Sequence, residues 1–181
     1  MSGVPELRDM VRADADAVAT LHATSWRHTY RGIFTDHYLD HEVDTDRRTV
    51  WRARLQSDVP TADWGLAMDD PAGRLVGFAY VQPDHDPTWG DYLDNLNVAP
   101  DLKGAGLGRR LMQAVAERLQ RDGSTHPLYL WVLDANPAAR RFYERLGAEI
   151  TDSQRSDPLG GAQHLVWRCV WRRPTTLIDH A

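Results

Sequence analysis

One short segment constrains the fold more than any other. The run Tyr92 to Val98 reads as a strand stopped by Pro100, and Lys103-Gly104-Ala105-Gly106-Leu107-Gly108 follows it. Next comes a stretch with Leu111, Met112, Val115 and Leu119 on one stripe, the spacing of an amphipathic helix, closed by Gly123. A strand feeding a glycine-rich turn into a helix leaves the first helical amides without intrahelical partners. Those amides and the helix dipole favour an anion. Glycines let the main chain approach a ligand closely and adopt positive φ. Lys103, Arg109 and Arg110 place cations around the turn, where they oppose the dipole unless an anion lies between them. The pattern predicts a phosphate-binding unit; the competing reading is an unusual loop with solvated cations.

The other elements arrange themselves around this unit. A short strand opens at Glu6-Leu7-Arg8, and a helix follows from Asp14 to about Trp26, with Asp14 or Asp16 as its cap. Arg27 to Leu39 is aromatic and irregular, and a second helix spans Thr45 to Leu55. Trp64–Met68 and Arg74–Val81 form two strands around a turn at Asp69–Gly73, and Pro83 to Gly90 reads as loop. After the central helix come a compact apolar strand, Leu128–Leu133, and a helix with Asn136 as cap and Pro137 as first residue. Two closing strands follow, Ala148–Thr151 and Gln163–Val170. The order predicts a single α/β domain over residues 1–171, a mixed central sheet with helices on both faces. Residues 172–181 show no periodic signal and read as a loose tail.

Composition narrows the function. With 181 residues, a net charge of −5 and 21 of its 26 acids as Asp, the chain offers no general surface for nucleic acid or an anionic membrane. It mildly favours cationic small molecules. Cys169 is the single cysteine, which rules out an intramolecular disulfide and any zinc site built from several cysteines. No apolar run approaches the ~20 residues of a membrane span and the N-terminus lacks a signal-peptide pattern, so the expected compartment is the cytoplasm.

Nucleotide motifs fit the turn poorly. No Lys-Ser or Lys-Thr completes a P-loop, and the third glycine of a dinucleotide fingerprint is replaced by Arg109. The turn also lies late in the chain, after apparent antiparallel hairpins. By contrast, Leu93 to Leu119 resembles the acyl-CoA-binding core of the GNAT superfamily of N-acyltransferases. That family carries [RQ]-x-x-G-x-[GA] after a strand ending in Val-x-Pro. Here the strand ends Leu96-Asn97-Val98-Ala99-Pro100, and Lys103 stands in the first signature position, a departure that keeps a long donor side chain. A second block, Asn136-Pro137-Ala138-Ala139-Arg140-Arg141-Phe142-Tyr143-Glu144-Arg145-Leu146-Gly147-Ala148, is similar to the family's N-x-x-A-x-x-F-Y-x-x-x-G-F segment. The resemblance spans roughly Leu7 to Val170 and is weakest from Thr35 to Asp63.

The resemblance implies roles. The amides of Gly104, Ala105, Gly106, Leu107, Gly108 and Arg109 would hold the pyrophosphate of acetyl-CoA, with Lys103 beside them. The main chain of Leu96, Asn97 and Val98 would pair with the pantetheine arm, and the Val98 amide would point at the thioester oxygen. Tyr143 would donate to the departing thiolate, and Asn136 would approach the cofactor as well as capping its helix. The amine's proton could pass to Asp94, Asp91, His85 or water. No single base is singled out: Asp94 shares parity with Val98 and leans with the core residues unless the strand bulges, and the broken alternation of Leu93 and Leu96 suits such a bulge. The implied function is acetyl transfer to a primary amine, on a small molecule or a protein N-terminus, by direct attack in a ternary complex without a metal. A homodimer is common in such folds. The alternative is a non-catalytic acyl-CoA-binding sensor, against which the presence of Tyr143 counts.

Other constellations carry less. His37-x-x-x-His41 has metal-ligand spacing but no third ligand. Asp84-His85-Asp86 reads as a pocket edge, and no G-x-S-x-G elbow supports hydrolase chemistry at Ser25. Trp26, Tyr30, Phe34, Trp51 and Trp89 read mostly as core, with one or two left to wall an acceptor pocket.

Overall fold

Seven strands in the order β1-β2-β3-β4-β5-β7-β6 form one sheet. The computed structural model describes residues 3–179. The strands are β1 Glu6–Asp9, β2 Trp64–Asp69, β3 Leu75–Asp86, β4 Gly90–Val98, β5 Leu128–Leu133, β6 Glu149–Arg155 and β7 Leu165–Trp171. The helices are α1 Ala15–Tyr30, α2 Val43–Leu55, α3 Leu107–Arg121, α4 Pro137–Arg145 and the single turn α5 Thr176–Asp179. Side-chain alternation along β3 sorts the helices onto two faces. Phe78 and Tyr80 point at His22 of α1 and Trp51 of α2. Gly77 turns the other way, where an added Cβ would meet Leu111 of α3 at 3.1 Å. The mixed sheet with helices on both faces is therefore as expected, and its core contains the stripe Leu111, Met112, Val115 and Leu119.

The topology opens the sheet in one place. β4 and β5 are its parallel neighbours, and they pair only through Asp91↔Leu128 and Tyr92↔Tyr129. Beyond those residues the two strands part. β4 continues to Val98 paired with β3, while β5 continues to Leu133 paired with β7. β4 also carries a bulge: Leu93 faces Val81 and Asn95 faces Tyr80, so Asp94 is the extra residue. Parallel strands cannot be joined by a tight turn, so α3 and its glycine turn make the crossover at the mouth of this split.

Several sequence expectations need correction. Residues 83–86 are not loop: β3 runs to Asp86, which pairs with Gly90. Pro83 is tolerated because the register passes from Gln82↔Tyr92 directly to Asp86↔Gly90, leaving it where no ladder N–H is required. α1 extends to Tyr30, and the irregular segment contains a π-helical turn at Tyr38–Glu42 that leads into α2. The tail is not loose over residues 172–179, since Leu177 is 2% exposed and belongs to the main core. Residues 180 and 181 lie outside the described residues. No helix among the described residues is long and apolar enough to cross a membrane.

Candidate functional site

The split between β4 and β5 is the base of a cleft of about 1160 Å³ that runs from the glycine turn to the ends of α1 and α2. At the turn, Gly104 and Gly106 have φ of +87° and +79°, and an added Cβ at either would meet nothing within 4 Å. The space over these residues is open. Gly106 is the N-cap of α3 and supplies no side-chain cap, and the first intrahelical bond runs from the Arg110 amide to the Gly106 carbonyl. The amides of Leu107, Gly108 and Arg109 precede that bond, so α3 gives them no acceptor. Gly108 matters for packing instead. A Cβ there would lie 3.2 Å from the Phe142 ring, so its absence lets α4 pack against α3. Lys103 reaches back to α1, where Nζ donates to Thr29 Oγ1 at 2.9 Å.

The edge of β4 faces the same cleft. The Ala99 amide donates to the Val76 carbonyl of β3 at 2.8 Å. Successive residues of a strand turn their N–H and C=O groups to opposite edges, so those of Val98 and Leu96 point away from β3. Consistently, the Val98 carbonyl accepts from Ser25 Oγ of α1 at 3.4 Å. Asn97 turns toward β3, where it pairs with Phe78.

Across the cleft, α4 presents Tyr143, 9% exposed and packed edge-on against Trp171. Burial, with Tyr30 and Cys169 nearby, pushes its pKa well above the ordinary phenol value, so the hydroxyl keeps its proton at neutral pH. Asn136 caps α4 through Oδ1, which accepts from the Ala139 amide at 3.1 Å. Its side chain also hydrogen-bonds the half-buried Tyr30 at its phenol. The cap and the cleft wall are thus both served by Asn136.

The three carboxylate and imidazole candidates separate cleanly. Asp91 is 1% exposed, and its oxygens accept from the Asp84 amide at 2.9 Å and Ser124 Oγ at 2.6 Å, which makes it an anchor of the β3–β4 hairpin outside the cleft lining. With Asp84 and His126 it forms a group whose donor atoms lie within 4.8 Å of one another. His126 Nδ1 already engages Asp84 at 2.5 Å. Asp94 does line the cleft, but it is held by Arg54 at 2.5 Å and by Asn95 Nδ2 at 2.5 Å, and it also accepts from Tyr92. His85 lines the cleft too, with Nδ1 2.6 Å from the Tyr129 hydroxyl. Burial pushes the Tyr129 pKa up to about 12.

At the far end stand residues that no motif singles out. His22 is fully buried, and its Nδ1 accepts from Trp51 Nε1 at 2.9 Å. Burial, reinforced by Arg47 and Arg54, lowers its pKa far below the usual imidazole value, so the ring is neutral. Arg47 lies 4.2 Å over the Trp26 ring. The β6–β7 connection closes this end: Gly160 sits so close to Phe34 that a Cβ would run into the ring, and its carbonyl accepts from the Thr35 amide at 3.2 Å.

The sequence and the fold have counterparts among known proteins. The family model for the acetyltransferase (GNAT) family matches residues 23–148. The chain belongs to the GNAT acetyltransferase family. The probable N-acetyltransferase Rv2775 of Mycobacterium tuberculosis is 29% identical over 135 residues, covering 73% of this chain and 72% of that protein. Mycothiol acetyltransferase of Saccharopolyspora erythraea is 31% identical over 100 residues, 51% of this chain, but the match spans only 33% of that longer relative. Among solved structures, the PaiA N-acetyltransferase of Thermoplasma acidophilum in complex with coenzyme A superposes with a TM-score of 0.70 at 19% identity, over 91% of this chain and 98% of that one. That likeness shows the fold. The GNAT chain is thus an acyltransferase that uses acetyl-CoA to acetylate an amine, and the non-catalytic sensor reading is not favoured.

Cys169 is a poor candidate for a covalent carrier in this GNAT protein. It is fully buried in β7, and burial pushes its thiol pKa up to about 12, which leaves almost no thiolate at neutral pH. Cys169→Ala is expected to keep its turnover within about threefold of the unaltered enzyme, and a disulfide reagent should leave the native thiol unmodified. Loss of thiol release in that variant at unchanged Tm would contradict this.

Proposed function

We propose that the acetyl group passes directly from acetyl-CoA to an amine bound beside it in the cleft. The single observation that carries this reading is the convergence of the free β4 edge, the uncapped start of α3 and the Tyr143 hydroxyl on one cleft. The turn from Gly104 through Ala105, Gly106, Leu107 and Gly108 to Arg109 holds the pyrophosphate, where the helix dipole and first-turn amides that α3 itself does not engage favour negative charge, while the Ala105 amide donates to the Leu102 carbonyl at 3.3 Å. The Leu96 and Val98 edge pairs with the pantetheine arm as an added strand would, with Asn97 between them. The Val98 amide then stabilises the negative charge that develops on the thioester oxygen during attack. Asn136 orders the Tyr30 phenol and the start of α4 around the reacting group.

Tyr143 is proposed as hydrogen-bond donor to the departing thiolate. Its raised pKa keeps the proton available, and a buried donor is worth more there than in water. Asp94 lines the cleft from β4 and pairs with Arg54, and it acts by orienting water and the Arg54 guanidinium around the amine. This chemistry calls on protein groups alone and requires no metal. The single buried cysteine and the lack of a membrane-crossing helix among the described residues support a cytoplasmic site of action.

Tyr143→Phe keeps the ring against Trp171 and removes only the hydroxyl. Turnover measured by thiol release should fall by about 10²-fold, within the usual range for a positioned proton donor. Stabilisation of the variant by acetyl-CoA should persist. An unchanged turnover number would overturn the role given to Tyr143.

A further inference from the structure

The charge of the cleft differs from the charge of the chain. Its lining includes Arg47, Arg54, Lys103, Arg109 and Arg145, against Asp94 and Asp157 as carboxylates. Lys103 and Arg109 flank the glycine turn, and Arg145 lies on α4 one turn from Phe142, which packs on Gly108. These three serve the phosphate end. Of the two at the amine end, Arg54 is matched by Asp94 at 2.5 Å.

Arg47 is left as the cation with unmet capacity. Its side chain is 12% exposed and its guanidinium is backed by the Trp26 ring at 4.2 Å. One nitrogen, Nη2, engages Asp46 at 2.9 Å, and that same Asp46 oxygen also takes the Tyr38 hydroxyl. The Nε–H is buried and has no acceptor among the described residues. Beside it, His22 uses Nδ1 to accept from Trp51, so the proton of the neutral ring sits on Nε2 and the edge left over is again a donor. A half-matched guanidinium stacked on an aromatic ring is suited to a planar two-oxygen anion.

We propose that the acceptor is an amine of the α-amino-acid type, and that Arg47 binds its carboxylate. This rests on the acetyltransferase reading of the cleft and names the substrate class for it. It reverses the preference for cationic acceptors that the overall charge suggests.

The test measures thiol release from acetyl-CoA with the common L-amino acids supplied singly, their amides, a dipeptide amide standing for a protein N-terminus, and spermidine. The best amino acid should exceed its own amide at least tenfold in kcat/KM, mainly through KM, with spermidine below both. Arg47→Gln should collapse that acid-to-amide ratio toward one while acetyl-CoA still raises Tm. Arg47→Lys, which keeps the charge without the fork, should retain part of it. Equal use of acid and amide by the unaltered enzyme overturns the proposal without any variant, as does a preference for spermidine or the dipeptide amide. A ratio unchanged in Arg47→Gln removes Arg47 from it. The acetyltransferase reading fails differently, through no Tm shift with acetyl-CoA and no thiol release with any amine.

Discussion

Gly106→Val is expected to abolish stabilisation by acetyl-CoA while leaving the protein folded. At a hundred times its Kd, the ligand should add about 2.7 kcal/mol to the unaltered protein, a rise in Tm of several degrees for a chain of this length. Gly106 has a φ of +79°, and a side chain there costs roughly 1–2 kcal/mol of backbone strain, more when branched at Cβ. Because nothing lies within 4 Å of the added Cβ, strain is the main cost to the free protein. The larger effect falls on the ligand, since the isopropyl group stands over the amides that start α3. Gly106→Ala should fall between the two. A valine variant that acetyl-CoA stabilises as well as the unaltered protein would show that phosphate is not held at this turn. Melting curves with acetyl-CoA, CoA, ATP and NAD measure all of this together.

Trp171→Ala should give the largest loss of stability, about 3–5 kcal/mol, the usual cost of deleting a buried large aromatic side chain. Trp171 is 1% exposed, its Nε1 donates to the Leu146 carbonyl at the end of α4 at 2.8 Å, and its ring packs edge-on to Tyr143 at 5.9 Å. The alanine variant loses that packing and leaves the Leu146 carbonyl without its donor. Urea unfolding should show the midpoint falling with little change in slope. Turnover of the remaining folded protein should fall too, because Tyr143 loses its backing. Trp171→Phe separates the contributions: most of the packing stays and the hydrogen bond goes, for about 1–3 kcal/mol. If the alanine variant unfolds at the unaltered midpoint, this link between core and site is wrong.

The proposed phosphate end is legible in the sequence because backbone conformation carries that reading, and backbone conformation leaves a residue signature. Positive φ at Gly104 and Gly106 demands glycine, and Pro137 after Asn136 announces a capped helix start. Even the bulge at Asp94 is visible, as the broken alternation between Leu93 and Leu96. The proposed amine end is not legible. Arg47 acts through Trp26, His22 through Trp51 and Phe34 through Gly160, pairs far apart in sequence with no local pattern. Pro83 misleads for a physical reason, because a missing N–H usually ends a strand and here falls where the ladder is interrupted. The tail misleads because two adjacent apolar residues hold it, Leu177 buried and Ile178 half-buried against the core, and one such pair shows no periodicity. Asp91 and Asp94 share residue type and strand, and only the bonds around them separate an anchor from a cleft residue.

The most direct test of the cleft is amide hydrogen exchange, resolved by residue, with and without CoA. CoA is expected to bring new protection at Leu96 and Val98 on the β4 edge and at Leu107, Gly108 and Arg109 where α3 begins, with Phe78 on β3 little changed. Protection confined to other parts of the sheet, with these amides exchanging as freely as before, would contradict a cofactor held along the β4 edge and the start of α3.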